Sequence, residues 1–291
     1  MSTTARSRVR RLAVSRIISI TGGAAAFLAL NFTIYQRTHS AGWLAASLFL
    51  TFGTEGFMSP LAGVIGDRFD RRRVMIASDL AAAVFFFAMA LVRSPAPLLA
   101  LAFFSAVAET PFLSASSAAI PNLIEDEGDL GWANGLVTMG RQGGILIGPI
   151  LGGVLLSWLG PGSVFAINAV SFLVSAALVA TIRGRFSGER HDSGEYSGIR
   201  AGFRVLWRDR ILRTMAVAWL ALVLALGMTM VADVPLVTLF HTGSWGYGIL
   251  ISFWGAGSIA GSLLGRRMHA ANEVGWFVLG CVGAAVPTIV V

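Results

Sequence analysis

Gly63-Val64-Ile65-Gly66-Asp67-Arg68-Phe69-Asp70-Arg71-Arg72-Arg73 is a glycine-spaced helix end that runs into a short basic turn, with long apolar runs on both sides. A turn of roughly half a dozen residues between two segments long enough to cross a bilayer must sit at a membrane face. The four arginines in it select the cytoplasmic face, because cytoplasmic loops carry the excess of positive charge.

Composition agrees with a membrane chain. Hydrophobic residues make up 55% of the sequence and charged residues 13%, with a mean hydropathy of +0.74, which no soluble domain could bury. The net charge of +7 comes from arginine alone, since all 22 basic residues are arginines. They lie in the polar gaps between apolar runs, so the charge reads as topology and attraction to anionic lipid, and nucleic acid is not an expected partner. Cys281 is the one cysteine, which excludes an internal disulfide and a cysteine-built metal centre. Four histidines without metal-ligand spacing give no metal site, and no cofactor is implied. The chain has no Gly-rich phosphate loop or nucleophile elbow, so it does not read as an enzyme.

In chain order, residues 1–13 form a basic N-terminal tail, expected in the cytoplasm, with no cleavable signal peptide after it. Six apolar runs follow within residues 14–182, at about Val14–Tyr35, Gly42–Ile65, Val74–Val92, Leu98–Ile120, Leu130–Trp158 and Val164–Ile182. Residues 183–211 form a polar linker, in which Ile199–Trp207 places Phe203, Leu206 and Trp207 on one face among arginines, the pattern of a helix lying on the inner leaflet. Residues 212–291 hold two more runs, about Leu212–Phe240 and Tyr247–Leu264, and a ninth that starts near Val274 and stops with the chain at Val291. The expectation is an all-α membrane protein: a six-helix N-terminal bundle plus part of a second bundle. Nineteen of the 22 arginines fall in segments that this order puts on the inside, leaving Arg37 and Arg93 outside and Arg141 within a span. The N-terminus is therefore expected in the cytoplasm. An internal repeat is visible, because Gly63-x-x-x-Asp67-Arg68 recurs as Gly261-x-x-x-Gly265-Arg266, without the aspartate.

Three constellations could carry chemistry. The fifth run places Gly140, Gly144, Gly148 and Gly152 at every fourth residue, one smooth stripe on one helix face, with Gly143, Pro149 and Gly153 beside it. Such a stripe is either a static packing seam or a moving, hinge-like interface, and the coincidence with Pro149 favours the second. Arg141 lies on the order of 15 Å into the same helix. Glu55 and Glu109 fall near its level, and an unpaired arginine at the bilayer centre costs about 2.5–3.5 kcal/mol, so a partner is expected. Glu109 is the first candidate and Glu55 the other. The pair either locks helices together, or one carboxylate exchanges a proton or meets a cationic substrate. Asp79, about two turns beyond Arg71–Arg73, either anchors the basic turn or relays protons. The loop Glu125-Asp126-Glu127-Gly128-Asp129 is expected to cap the fifth helix through Asp129, or else to pair with the basic turn. Asp233, ahead of Pro235, reads as a solvated cap.

Gly63-x-x-x-Asp67-Arg68-x-x-Arg71-Arg72-Arg73 resembles the signature loop of the major facilitator superfamily, and Gly144-x-x-x-Gly148-Pro149-x-x-Gly152-Gly153 resembles the motif of its antiporters. With Leu130-x-x-Ala133-Asn134-Gly135, the likeness extends over most of Arg11–Ile182 and is nearest to drug and siderophore exporters of the macrolide-efflux and enterobactin-exporter type. This resemblance implies twelve helices in two bundles, a central cavity and proton-driven rocking between inward-open and outward-open states. It assigns Gly63, Asp67, Arg68, Arg71 and Arg72 to an inner gating loop, and Gly144, Gly148, Pro149, Gly152 and Gly153 to a contact between bundles. The expected function is export of a small drug-like or siderophore-like molecule across the cell (inner or plasma) membrane, with protons as coupling ion and membrane lipid as surroundings. Alternatives are a lipid or metabolite translocator on the same fold, or a non-transporting receptor or degenerate fragment. Against the family pattern, the chain ends after about eight and a half runs.

Overall fold

The computed structural model describes residues 3–124, 127–184, 186 and 199–265. These residues form helices and turns only. The ninth run, Arg266, Arg267, Cys281, Glu125, Asp126 and most of the linker lie outside the described residues.

Helix α1 covers Thr3–Thr38. The second run is one continuous rod: α2 (Ala41–Leu48), a π-helical turn at Phe49–Gly53 and α3 (Thr54–Arg68). Then come α4 (Arg71–Leu91), α5 (Pro95–Leu123), α6 (Leu130–Leu159) and α7 (Pro161–Thr181). The short α8 (Ile199–Arg208) precedes α9 (Arg210–Leu239) and α10 (Gly243–Gly265). Among the described residues, six helical segments are long and apolar enough to cross a membrane: Ala5–Thr38, Ala41–Gly66, Arg71–Leu91, Pro95–Leu123, Leu130–Leu159 and Pro161–Thr181.

The ends of these helices follow from local chemistry. Ser94 and Pro95 open α5, where a proline costs nothing because the first N–H groups of a helix have no partner. Gly160, at φ +78°, ends α6 and turns straight into Pro161 of α7, a backbone conformation that a side chain would strain. The N-terminal residues are not a free tail, as they had been expected to be. Ala5, Val9 and Leu12 recur with helical spacing and are fully buried, so α1 starts at Thr3 and packs along its whole length.

Helix α1 sits between α6 and α7, α4 packs on α7 and α5, and α3 packs on α5. The apolar interior is divided into two clusters. One, at the end carrying Arg71–Arg73, gathers Val9, Leu12, Met75, Phe112, Leu123, Val179 and Phe186. The other, at the opposite end, gathers Leu28, Phe32, Leu44, Phe86, Leu98, Phe165 and Tyr247. Between them, helix by helix, lies a band of buried polar side chains: Ser15, Arg16 and Ser19 on α1, Ser78 and Asp79 on α4, Ser105 and Thr110 on α5, and Ser175 on α7. Lipid offers no hydrogen bonds, so polar groups at this depth must face inward.

Helix α10 antiparallels α6. Its Gly255 approaches Leu146, Gly248 lies against the Pro149 carbonyl, and Ser244 donates to the Gly153 carbonyl at 3.0 Å. Val234 and Val237 near the end of α9 are buried in the opposite-end cluster, whereas Met215, Val217, Leu220 and Leu224 earlier in α9 are exposed. Among the described residues the second half thus touches the first through α10, along Leu146–Gly153, and through Val234, Val237 and Tyr247.

Candidate functional site

The basic turn is two residues long. Phe69 and Asp70 are extended, and Asp70 caps α4 by accepting from the Arg73 backbone N–H at 3.0 Å. Such a cap is worth about 1 kcal/mol. The arginines behind it reach the C-terminal ends of other helices. Arg71 donates to the Ala118 carbonyl at 2.8 Å and the Phe186 carbonyl at 3.4 Å, and Arg72 donates to the Ala180 carbonyl. Asn122 shares the Phe186 carbonyl at 3.1 Å. Ala180 lies in the last turn of α7, where a cation satisfies a carbonyl without an intrahelical partner and meets the negative end of the dipole. The turn thus ties the start of α4 to the ends of α5 and α7, all within the first half. Arg68 lies at the end of α3, and the Asp67 side chain lies outside the described residues. Gly63 faces open space, and a Cβ added at Gly66 would meet Ser114 and Ala115 of α5 at ordinary contact distance, 3.8 and 3.9 Å.

The glycine row of α6 faces α1. A Cβ at Gly140 would come within 2.6 Å of Ile17, at Gly144 within 2.8 Å of Ile20, at Gly148 within 2.6 Å of the Thr21 carbonyl, and at Gly152 within 2.7 Å of Ala25. This corrects the expectation of a moving interface, because the stripe is a seam inside the first half. The surface presented to α10 is the adjacent row Leu146, Pro149 and Gly153, where a Cβ at Gly153 would fall 2.6 Å from the Ser244 carbonyl. Gly22 of α1 makes a similar approach to Asn168 and Ser171 of α7.

The polar band holds the remaining candidates. Arg141 is exposed on α6, on the arc between its α1-facing and α10-facing rows and five residues before the contact at Leu146. Among the described residues no hydrogen bond or ion pair joins it to Glu109, the partner expected first. Glu55 and Arg16 are the groups within its Coulombic reach. Glu109, partly buried on α5, is instead in Coulombic reach of two other carboxylates, Glu55 and Asp79. Asp79 is 1% exposed between α4 and α7 beside Ser175, and neither its Oδ2 nor the Ser175 Oγ has a hydrogen bond of good geometry. It lies in the band and has no recorded bond to the basic turn.

Two features escaped the sequence reading. Arg16, counted above with the cytoplasmic tail, is 5% exposed inside the bundle, where it donates to the Ser116 Oγ of α5 and keeps its Nε unpartnered. The signal was its place after Val9, Leu12 and Ala13, which continue the helical period through it. The π-helical turn at Phe49–Gly53 ends two residues before Glu55, and such turns recur at functional sites. Pro111, two residues after Glu109, removes the donor that the Val107 carbonyl would otherwise meet. Backbone irregularity thus flanks both glutamates. Asp129 stands at the N-cap position of α6 but makes no side-chain capping bond, and Asp233 lies inside α9 rather than at a helix end. Among the described residues no cluster of His, Cys, Asp or Glu could hold a metal ion.

A bundle of apolar helices with buried polar and charged side chains at mid-depth is the build of a multi-pass membrane protein. The sequence pattern of the Major Facilitator Superfamily matches residues 12–291, and the chain belongs to that family, one of transporters and not of enzymes. The chain is 26% identical to "Multidrug efflux pump Tap" of Mycobacterium tuberculosis (strain ATCC 25618 / H37Rv), over 68% of its own length and 51% of the relative's. Against the protein of the same name from Mycolicibacterium fortuitum it is 26% identical over 75% of the chain and 56% of the relative. With "Multidrug resistance protein MdtG" of Dickeya zeae (strain Ech586) it shares 27% identity over 68% of the chain and 47% of the relative. The chain spans about half the length of these curated relatives.

Proposed function

We propose that the full-length protein is a secondary active exporter of a small drug-like or siderophore-like molecule, with its N-terminus in the cytoplasm of a cell whose inner or plasma membrane it spans. The observation that supports this reading is the close seam between the halves, where Leu146, Pro149 and Gly153 of α6 meet α10, together with Arg16, Glu55, Glu109 and Arg141 set at mid-depth. By arginine distribution the end carrying Arg71–Arg73 faces the cytoplasm. The names of the relatives, an efflux pump and a resistance protein, support export.

Protons are the coupling ion in this reading. Glu109 lies within Coulombic reach of Glu55 and Asp79, and carboxylates grouped inside a membrane bundle suit a proton relay. The basic turn, with Gly63, Asp67, Arg68, Arg71 and Arg72, forms the inner gate region, and Asp79 belongs to the proton path rather than to the turn. Helix α8 lies on the inner leaflet, with Trp207 and Val205 exposed beside Arg204 and Arg208.

Everted vesicles carrying the full-length protein test this. An imposed proton gradient is expected to drive accumulation of a fluorescent amphipathic drug or a siderophore. Glu109→Gln is expected to abolish gradient-driven accumulation while leaving exchange of labelled for unlabelled substrate. Gradient-independent flux in the wild type removes the proton, and no flux for any compound of the panel removes export itself.

A further inference from the structure

The N-terminal extension of α1 does more than lengthen a span. Its buried face, Ala5, Val9 and Leu12, packs into the bundle, which turns Arg6, Ser7, Arg10, Arg11 and Val14 outward along one face. With Leu178 of α7 these residues line a cleft of about 340 Å³ where the two helices meet. Arg11 is fastened to the frame, donating to the Thr181 carbonyl at 3.3 Å. Arg6 and Arg10 have no partner among the described residues and stand one helical turn apart, a spacing at which like charges repel. The chain supplies no counter-charge nearby in sequence, since its first acidic residue is Glu55. Towards the bilayer the cleft changes character abruptly. Val14, 45% exposed, and Leu178 present an apolar track directly below the three guanidinium groups.

We propose that this cleft is a binding site for one anionic glycerophospholipid: Arg6, Arg10 and Arg11 hold the phosphodiester, and an acyl chain runs along Val14 and Leu178. Guanidinium groups match phosphate oxygens in geometry as well as charge, and basic pockets between membrane helices are suited to acidic headgroups. Both ends of the ligand are specified by the site. A free phosphate would use the arginines and leave the apolar track empty, whereas a lipid uses both. The site depends on membrane insertion alone and stands whether or not the protein exports drugs.

Native mass spectrometry of the full-length protein, offered phosphatidylglycerol or phosphatidylcholine with the same acyl chains, tests the proposal. The wild type is expected to retain phosphatidylglycerol about tenfold better. Arg6→Gln with Arg10→Gln, which touches no protein contact and leaves the Arg11 bond intact, is expected to reduce that preference to about twofold. Arg204→Gln with Arg208→Gln removes equal charge from α8 and is expected to leave it. Val14→Ser with Leu178→Ser is expected to weaken lipid retention without changing binding of inorganic phosphate. An unchanged preference in the Arg6/Arg10 variant overturns the site, as does an equal loss in the α8 variant, which would make the effect one of general surface charge. Displacement of the lipid by millimolar inorganic phosphate overturns the lipid as occupant.

Discussion

Two neighbouring rows of the same helix have opposite jobs. On α6, Gly140, Gly144, Gly148 and Gly152 lock against α1, whereas Leu146, Pro149 and Gly153 receive α10 from the second half. Both rows bring backbones so close that a side-chain carbon would have to displace its neighbour. They differ in what lies across the contact. The glycine row presses on a helix whose other neighbours belong to the same bundle, so loosening it undoes the bundle. The Leu146–Gly153 row presses on a helix of the second half, so loosening it changes how the halves sit. Small residues report close approach, and only the partner's identity says whether that approach is permanent.

The sharpest test of this contrast is Gly148→Leu. Its side chain would start 2.6 Å from the Thr21 carbonyl and 2.7 Å from Ala24, so the full-length protein is expected to lose its monodisperse peak in detergent chromatography. Gly153→Leu, equally crowded by Ser244 and Trp245, is expected to fold but to open the end opposite Arg71–Arg73. Thr33 and Gln36 line a cleft of about 400 Å³ against Gly243 and Ser244, so a cysteine placed at either should label several-fold faster in that variant. Equal loss of folding in both variants would erase the distinction between the rows. A smaller effect is expected from Asp70→Ala, which removes the α4 cap without touching either row and should cost about 1 kcal/mol in thermal stability. Least of all should follow from Gly63→Ala. Nothing lies within 4 Å of a carbon added there, and the helix gains about 1 kcal/mol or less in propensity, so the melting temperature should hold or rise slightly.

Much of the fold could be read from hydropathy, because the bilayer demands runs of one length and permits only helices among chains of this kind. The basic turn was legible for the same reason, but the caps were not: Asp129, expected to cap, makes no capping bond, whereas Asp70, given no role of its own, caps α4 as an aspartate directly before a helix start can. The site was harder. Periodicity showed that four glycines share a face but not that α1, rather than the second half, lies opposite. Arg16 was misplaced because counting charges near a terminus ignores the burial of Ala5, Val9 and Leu12 in the turns before it. The expected Arg141 partner failed because equal depth in a membrane does not fix azimuth, and two side chains at one level on separate helices can point past one another. The π-helical turn before Glu55 carries no sequence mark that distinguishes it from ordinary helix.

The contact between Leu146 and Gly255 lies near the middle of α6 and can be regarded as a fulcrum. From it α6 extends about 24 Å towards Leu130 and about 20 Å towards Leu159, at 1.5 Å per residue. With lever arms so nearly equal, a tilt of one half about this point displaces the two ends by similar amounts in opposite senses. Arg141 lies about 7.5 Å along the helix from the pivot, so the same tilt would move it about a third as far as the Leu130 end. A charge set there would travel less than either end of the helix.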